Sequence, residues 1–556
     1  MPGKAVKAVI TVAVLATLSA PAWWPVAGDS DAPRPARSPS YSNIRAADYV
    51  GPETCAECHE DQHDLWTTHP HSRMNQDATP TAVLGDFANV TVNYAGVRTE
   101  FTRVDDAFFV TLTRRTRRRF LVTRTIGSRF MQMIVGRQVE GPEPPGDPVY
   151  TRELKLPFGY WFRLGRWLPE GYFDSDTPPE LTDAGEFALP PDDLELLSSW
   201  TKNCVFCHNT YPYELRLASG PQQLGYPRDD LAFNAATASA EGQRVRAEGT
   251  LDPDTFVPLG ISCESCHFGG REHADSDEDI RFVPTSPDLE FPLADALTHT
   301  RSSAYALNGV CAQCHAASVT CYAPGAATWN SREALDMLNG ACATQLRCVD
   351  CHDPHTPGPP KGPAPRESSA CAGCHTLAPD HTRHGAAVTC LDCHMPRIVQ
   401  GLDSVVRTHQ IARPVDSRSL AQAEPNACNL CHLDRSLAWT IDQVREGWGR
   451  TISVAPDWPA AALLDQPAGE VWLAHSTPTV RLVAADALSR SPQASQALPR
   501  LIKTLNDPYA VNRVFGLFAV ERALGRQLTE DEYDLLAPAE SRRAQLEALR
   551  SAGRRK

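Results

Sequence analysis

The chain has 556 residues, of which 42% are hydrophobic, and a formal net charge of −14 at pH 7. A chain of this length and composition can bury more than one core, so we expect two or three domains. The negative charge argues against nucleic acid as a partner and favours basic docking surfaces on a partner protein.

The N-terminus has the pattern of an export signal. Lys4 and Lys7 precede an apolar run over residues 8–20, and small residues follow it. We predict a signal peptide over residues 1–27 and a flexible, proline-rich leader over residues 28–47. No later segment approaches the roughly twenty apolar residues that a membrane span needs. We therefore expect no transmembrane segment after signal cleavage.

The pattern Cys-x-x-Cys-His occurs eight times, and we number these motifs 1 to 8 in chain order. Each of the two cysteines can form a thioether to one porphyrin, and the adjoining histidine then becomes the proximal iron ligand, which is how c-type haem is attached. Zinc also binds paired cysteines but does not require that histidine. We therefore predict eight covalent haem c groups. The predicted thioether cysteines are Cys55, Cys58, Cys204, Cys207, Cys263, Cys266, Cys311, Cys314, Cys348, Cys351, Cys371, Cys374, Cys390, Cys393, Cys428 and Cys431. The predicted proximal ligands are His59, His208, His267, His315, His352, His375, His394 and His432.

Two cysteines, Cys321 and Cys342, lie outside the motifs. In an exported protein they could close a disulfide, which would stabilise the fold by roughly 3 kcal/mol. Free buried thiols are the alternative, and the sequence leaves both open.

Ten histidines remain after the proximal ligands are assigned. They are His63, His69, His71, His273, His299, His355, His381, His384, His409 and His475. Nine of them lie within the region that carries the motifs, whereas residues 72–203, which contain no motif, have no histidine. This distribution favours distal iron ligation, because a haem with two imidazole ligands needs a second histidine.

Between motifs 1 and 2 the sequence changes character. Residues 98–126 contain β-branched and aromatic residues in partial alternation, which predicts two or three antiparallel strands. Trp161, Trp167 and Trp200 are expected to pack in a core. The arginine cluster at 114–119 either faces haem propionates or a partner, or is a solvated charge run.

After motif 8 the chain has two stretches with apolar residues at helical spacing. Residues 477–490 and 507–525 share a Pro-x-(x)-Val-x-Arg entry, and an apolar helix face lies between them at 498–505. These features predict HEAT-type helical hairpins. A short α-solenoid can bind a partner or cap the preceding domain, and two repeats favour capping.

The motifs in their local context resemble a known family. Segments such as YVGPETCAECHEDQHDLWTTHPHSRM, GISCESCHFGGREHA and PDHTRHGAAVTCLDCHMPR resemble those of bacterial multihaem c-type cytochromes. The likeness covers most of residues 48–450. It is greatest to the group in which an octahaem region precedes HEAT or TPR repeats. The chain is more distantly similar to the superfamily of pentahaem nitrite reductase and octahaem hydroxylamine oxidoreductase.

The resemblance also implies which histidines are distal ligands. The implied positions are His71, His273, His355, His381, His384 and His409. We add His299, just before motif 4, as a seventh candidate and His63 as the eighth. His69 and His475 are alternatives to His63, as is an open coordination site. The Cys-x-x-Cys-Lys variant of nitrite reductases is absent, which puts nitrite reduction in doubt.

We therefore predict a mainly α fold with much irregular structure, a multihaem cytochrome c core, a small antiparallel β subdomain and a C-terminal, HEAT-like α-solenoid. The predicted domains are an N-terminal haem segment (48–97), a haem-free β-containing subdomain (98–199), a seven-haem core (200–450) and a HEAT-like region (451–556).

Seven motifs lie between Cys204 and His432, so their porphyrins must lie close together, and such a series favours electron transfer. The predicted function is a periplasmic or extracellular octahaem electron carrier of a Gram-negative-type bacterium. Its expected partners are other cytochromes or a quinol-oxidising complex, with a further protein contact through the HEAT-like region. The alternative is a multihaem reductase or oxidase of nitrogen or sulfur oxyanions with one open haem site.

Overall fold

The computed structural model of the protein describes residues 40–553 apart from residues 95, 170–198, 220–231, 277, 292–303, 358–369, 377, 379, 456 and 509. The predicted signal peptide, most of the predicted leader and His299 lie outside the described residues.

An antiparallel sheet occupies the interval between motifs 1 and 2. The strands of the described chain are β1 (Asn75–Asp77), β2 (Ala88–Tyr94), β3 (Val97–Val104), β4 (Ala107–Thr113), β5 (Arg117–Ile126), β6 (Met131–Glu140), β7 (Leu154–Trp161), β8 (Arg166–Pro169), β9 (Ala232–Phe233), β10 (Leu289–Glu290), β11 (Arg397–Gln400) and β12 (Val405–Arg407). The eight-stranded sheet has the order β2-β3-β4-β5-β6-β7-β8, with β1 paired to β5. Strands β9 with β10 and β11 with β12 form two separate pairs.

The sheet forms because its strands alternate buried apolar and exposed polar residues. Phe101, Val110 and Phe120, on three neighbouring strands, have fully buried side chains. The alternating region predicted three strands at most, and β3, β4 and β5 lie there. The sheet extends well beyond this region on both sides. A two-residue turn joins β3 to β4, and Asp105 takes a φ of +51° there, which a short polar side chain tolerates.

The predicted tryptophans and arginines of this region have clear places. Trp161, Trp167 and Trp200 are almost completely buried, which confirms that they pack in a core. In the arginine cluster, Arg117 and Arg119 both bind Glu140 on the next strand. These ion pairs lie within the sheet and account for part of the cluster.

Helices make up most of the rest of the regular structure. The α-helices are α1 (Pro52–Ala56), α2 (Glu60–Thr68), α3 (Val205–His208), α4 (Tyr213–Ser219), α5 (Ala240–Glu248), α6 (Cys263–His267), α7 (Arg271–Asp275), α8 (Ala304–Ala312), α9 (Glu333–Leu338), α10 (Cys390–His394), α11 (Ser417–Ala421), α12 (Leu437–Trp448), α13 (Ala468–Leu473), α14 (Pro478–Arg490), α15 (Ala494–Thr504), α16 (Ala510–Leu524) and α17 (Ala539–Gly553). Within the described ranges, none of the helices combines the length and apolar character needed to cross a membrane.

The C-terminal part is helical and shares one hydrophobic core with the sheet. The guanidinium group of Arg163, in the turn between β7 and β8, lies 3.7 Å from the ring centroid of Phe518. Arg166 forms ion pairs with Glu530 and Asp534. The C-terminal region thus packs against the β7–β8 end of the sheet, and its HEAT-like character stays a prediction.

Candidate functional site

Each Cys-x-x-Cys-His motif folds into one helical turn. The backbone N–H of the histidine donates to the carbonyl of the first cysteine, as from His59 to Cys55 at 2.9 Å and from His315 to Cys311 at 3.0 Å. Positions i, i+3 and i+4 of a helical turn lie on one face. Both thiols and the imidazole of a motif therefore point to the same side of the chain, which is the arrangement that one porphyrin needs.

Among the residues that the structure describes, six of the eight motif histidines face a second histidine. The ring-centroid distances are 6.1 Å for His59 and His273, 6.5 Å for His71 and His315, 6.3 Å for His267 and His355, 6.2 Å for His352 and His409, 6.4 Å for His381 and His394, and 6.2 Å for His384 and His432. Each pair contains one histidine from a motif and one from outside the motifs.

The spacing of these pairs fits an iron between the two rings. Imidazole nitrogens bind metals at about 2.0–2.1 Å, and about 1.1 Å separates the nitrogen from the ring centroid, so two trans imidazoles should have centroids about 6.3 Å apart. Ordinary aromatic pairs range over about 4.5–7 Å. Six pairs that all fall between 6.1 and 6.5 Å, each with one motif histidine, indicate a common ligand geometry.

The facing histidines come from other motif segments. His273 lies on α7, just after motif 3, and faces motif 1. His71 follows α2, just after motif 1, and faces motif 4. His355 follows motif 5 and faces motif 3. Because the two ligands of a site lie on distant segments, iron bound between them would cross-link the chain.

The pairs differ in the angle between the ring planes. Four pairs are within 27° of parallel, whereas His384 and His432 are 41° apart and His71 and His315 are 58° apart. Two parallel imidazoles would interact with the same π-type d orbital of an iron between them. Two steeply tilted imidazoles would interact with different d orbitals of that iron. We therefore expect an iron at motif 4 to give an electron paramagnetic resonance signal that differs from the signals of the sites with nearly parallel rings.

Hydrogen bonds fix the ring orientation at several of these histidines. The Nδ1 atoms of His394, His273 and His384 lie 2.8, 2.7 and 2.6 Å from the backbone carbonyls of Ala412, Glu278 and Thr382. Since a carbonyl only accepts, each Nδ1 must donate, which leaves Nε2 with its lone pair for a metal.

The imidazole of His315 meets a carboxylate instead of a carbonyl. Its Nδ1 lies 3.1 Å from Oε2 of Glu333, the first residue of α9. Burial by itself would raise the pKa of Glu333, but the hydrogen bond and charge of His315, with backbone N–H groups, lower it to about 2. Glu333 was not predicted, because a single glutamate beyond the motif has no local signature.

Burial also affects the ligand candidates directly. Burial, with the nearby His69 and His315, lowers the pKa of His71 to about 4. Burial lowers the pKa of His409 as well. Both imidazoles are therefore neutral near pH 7 and can offer a nitrogen lone pair.

Motifs 2 and 6 differ from the other six. Among the described residues, neither His208 nor His375 has a facing imidazole. His208 is half-buried, and burial lowers its pKa to about 4. His375 lies at the surface.

The remaining histidine candidates do not fill these two positions. The described ring contacts of His63 and His69 are with Trp66 and His71. Nε2 of His63 is buried and has no hydrogen-bond partner in the described structure. His475 is engaged at both ring nitrogens, because Nε2 lies 3.0 Å from the Gln422 carbonyl and Nδ1 accepts from the backbone N–H of Thr477.

Cysteines that lie near one another show which motifs are neighbours. Interacting cysteine pairs join motif 1 to motif 3 through Cys55 and Cys263, and motif 6 to motif 7 through Cys371 and Cys390. Motif 4 is at a junction. Its cysteines interact with Cys207 of motif 2, Cys266 of motif 3 and Cys348 of motif 5. Cys393 of motif 7 interacts with Cys428 and Cys431 of motif 8.

A buried arginine strengthens the contact between motifs 2 and 4. Arg216 on α4 is 3% exposed and donates to the carbonyls of Phe206 and Gln313, one next to each motif's second cysteine. Its cation also lies 5.5 Å from the ring centroid of Tyr211. A buried cation without partners is unfavourable, so Arg216 needs these contacts. The contacts therefore hold the segments of motifs 2 and 4 in a fixed relative position.

Outside the motifs, Sγ of Cys321 lies 3.6 Å from the backbone carbonyl of Val319, and a disulfide to Cys342 stays a prediction. In the part of the chain that is described, no group of three or more histidine, cysteine, aspartate or glutamate side chains could enclose a metal ion. The described imidazoles are arranged in facing pairs, and such a pair suits a porphyrin iron.

Residues 378–456 match the family model Cytochrome c552. The matched segment contains motifs 7 and 8 with the histidines that face them. No curated protein matches. Among solved structures, the crystal structure of the outer cell wall cytochrome OcwA is similar with a TM-score of 0.39 and 16% sequence identity, covering 90% of this chain and 100% of that one. The family match supports a c-type cytochrome, a class that binds haem covalently and transfers electrons.

Proposed function

We propose that the protein is an exported octahaem c-type cytochrome that transfers electrons along closely packed haems. The observation that carries the proposal is the set of six facing histidine pairs, each 6.1–6.5 Å between ring centroids. A single Cys-x-x-Cys-His motif is a weak signal. Its combination with an opposite imidazole at the ligand distance is much more specific.

In this proposal the chain's own residues have two tasks. The sixteen motif cysteines hold the porphyrins through thioethers, and the paired imidazoles bind iron on both faces. When bound, haem iron supplies one-electron chemistry. Two imidazoles keep the coordination nearly unchanged between oxidation states, so little reorganisation accompanies each electron.

The contacts between motifs support a path through the chain. Motifs 1 to 5 are connected by interacting cysteines, and so are motifs 6 to 8. A short segment connects the two groups. His409 in this segment faces motif 5, and the carbonyl of Ala412 accepts a hydrogen bond from His394 of motif 7. We propose that electrons pass between the two groups here.

Export is proposed because the N-terminal segment has the signal pattern and because thioether attachment suits that location. Periplasmic and extracellular positions are both compatible with it. The acidic chain favours partners with basic docking surfaces. We propose other cytochromes or a quinol-oxidising complex as partners, and a capping role for the C-terminal helices.

Intact mass and spectroscopy of the matured protein test the proposal. The mass should exceed that of the cleaved polypeptide by eight haem units, because eight complete motifs are present. The oxidised protein should show mostly low-spin iron, which electron paramagnetic resonance detects. A stable, fully matured protein with fewer haems, or one dominated by high-spin iron, would contradict it.

A multihaem reductase or oxidase of nitrogen or sulfur oxyanions is the second candidate. It is favoured by motifs 2 and 6, where no described residue supplies a facing imidazole to His208 or His375. Cyanide or nitrite added to the oxidised protein distinguishes the two functions. A high-spin signal that disappears on addition, together with turnover using a reduced dye, would support the enzyme over the pure carrier.

A further inference from the structure

Glu333 is held firmly against the proximal histidine of motif 4. Its Oε2 accepts from Nδ1 of His315 at 3.1 Å, and its Oε1 accepts from the backbone N–H of Ser331 at 2.9 Å. The backbone N–H of Ala334 donates to the carbonyl of His315 at 2.9 Å. Ser331 adopts a φ of +73°, a left-handed conformation that non-glycine residues rarely adopt. The local chain is therefore arranged to present this carboxylate to this ring.

The other sites offer a comparison. The Nδ1 atoms of His394, His273 and His384 donate to neutral backbone carbonyls. At another expected ligand, His355, Oδ1 of Asp353 lies 3.9 Å from Nδ1, beyond hydrogen-bond distance. Among these four described rings, those of His315, His394, His273 and His384, the ring of His315 is the one that donates to a carboxylate.

An ionised acceptor changes the ligand more than a carbonyl does. It draws the Nδ1 proton away from the ring, which makes Nε2 a stronger donor to iron. A stronger donor and a nearby negative charge both favour the ferric over the ferrous state, and outer hydrogen bonds of this kind tune haem potentials. The iron bound by His315 should therefore be harder to reduce than it would be with a neutral acceptor.

We propose that Glu333 is a positioning residue that lowers the reduction potential of the motif 4 haem, an inference that rests on the proposed haem ligation. Motif 4 lies beside motifs 2, 3 and 5, because Arg216 joins its segment to that of motif 2 and helix α8 contacts α6 of motif 3 and the turn that begins at Cys348 of motif 5. A low potential at this junction keeps the site oxidised while its neighbours hold electrons. The carboxylate of Glu333 therefore raises the energy barrier for an electron that passes through motif 4 on its way between motifs 2, 3 and 5.

Glu333→Gln tests this inference directly. Glutamine keeps a neutral oxygen acceptor for Nδ1 and so reproduces the situation of the other sites. Potentiometric titration, followed by visible absorption and electron paramagnetic resonance, should show one haem shifted to higher potential. We expect at least a tenfold gain in its reduction equilibrium constant, which is about 59 mV for one electron.

Two further variants control the measurement. Glu333→Asp retains the charge on a shorter side chain, so it should shift the same haem in the same direction but less. Asp353→Asn removes a carboxylate that is near His355 without a hydrogen bond, so it should leave the motif 4 haem unchanged. The shifted haem is identified by the signal of its strongly tilted imidazoles, 58° between His71 and His315.

The outcomes separate the inference from the function on which it rests. Full haem loading and low-spin iron in Glu333→Gln with unchanged potentials would overturn the inference alone. A shift confined to a haem with parallel imidazoles would also overturn it. If Glu333→Gln does not mature, Glu333→Asp decides by the presence or absence of the smaller shift. A wild-type protein without haem at motif 4 would instead contradict the proposed function.

Discussion

Replacement of His71 tests the pairing that the structure makes between distant parts of the chain. Two histidines, His69 and His71, lie two residues apart, and their ring centroids are 4.6 Å apart. Only His71 faces a motif histidine, His315, at 6.5 Å. His71→Ala should therefore remove one distal ligand, and His69→Ala, the matched control, should remove none.

The expected size of the effect follows from the number of sites. One haem in eight, or about 12% of the total iron, should change from low to high spin in His71→Ala. Covalent attachment should persist because the thioethers are unaffected. In His69→Ala the spin state should stay constant. Nδ1 of His69 accepts from the backbone N–H of His71 at 3.1 Å, so the control loses about 1 kcal/mol of stability instead.

Quantitative electron paramagnetic resonance and intact mass measure the two quantities. The proximity of the two rings creates one further outcome, in which His69 replaces His71 as the ligand. The double variant resolves it, because removing both imidazoles must then produce the high-spin haem. If the single and double variants both remain entirely low-spin at full haem loading, the pairing of His71 with His315 is wrong.

Three other substitutions test separate features. Glu264→Ala should lower the free energy of unfolding by about 3 kcal/mol or more, measured by urea denaturation, because this buried carboxylate accepts three backbone N–H bonds; an unchanged midpoint would contradict this role. Burial raises the pKa of Glu424 to about 7, despite its bond from Ala323. The folded state therefore binds this proton more tightly than the unfolded state, and stability should fall as pH rises from about 4.5 to about 7. Above pH 7, Glu424→Gln should raise the free energy of unfolding relative to wild type by about 1–2 kcal/mol, a value that allows for solvent screening, and below pH 4 it should not change it. A difference between the two proteins that stays constant across this pH window would refute the assignment. His475→Ala should leave every low-spin signal intact, since its ring nitrogens are engaged elsewhere, and the loss of one signal would make it a ligand.

The sequence was sufficient for features that depend on short spacing. The motif spacing predicts thioether attachment and a proximal histidine, because positions i, i+3 and i+4 lie on one face of a helical turn and each motif contains its own geometry. Period-two alternation likewise predicted strands between residues 98 and 126. The strands on either side were missed because their pattern is weaker and their burial depends on the C-terminal helices that share their core.

The distal pairings could not be derived from spacing. His381 and His384 are separated by two residues, yet they face different motifs, through His394 and His432. His63 was expected to be the eighth ligand, and its described ring contact is with Trp66 instead. Its place opposite an iron remains a prediction, as does that of His299.

The sequence alone thus determined where haem can be attached and which face of each motif turn holds it, because those constraints are local. Only the tertiary structure decided which second imidazole faces each of six motif histidines in the described chain, and that the ring of His315 contacts Glu333 while the ring of His394 contacts a carbonyl. Those relations depend on where long segments fold back. That folding is set by the summed packing of cores and by ligand contacts between remote residues, which no short pattern encodes.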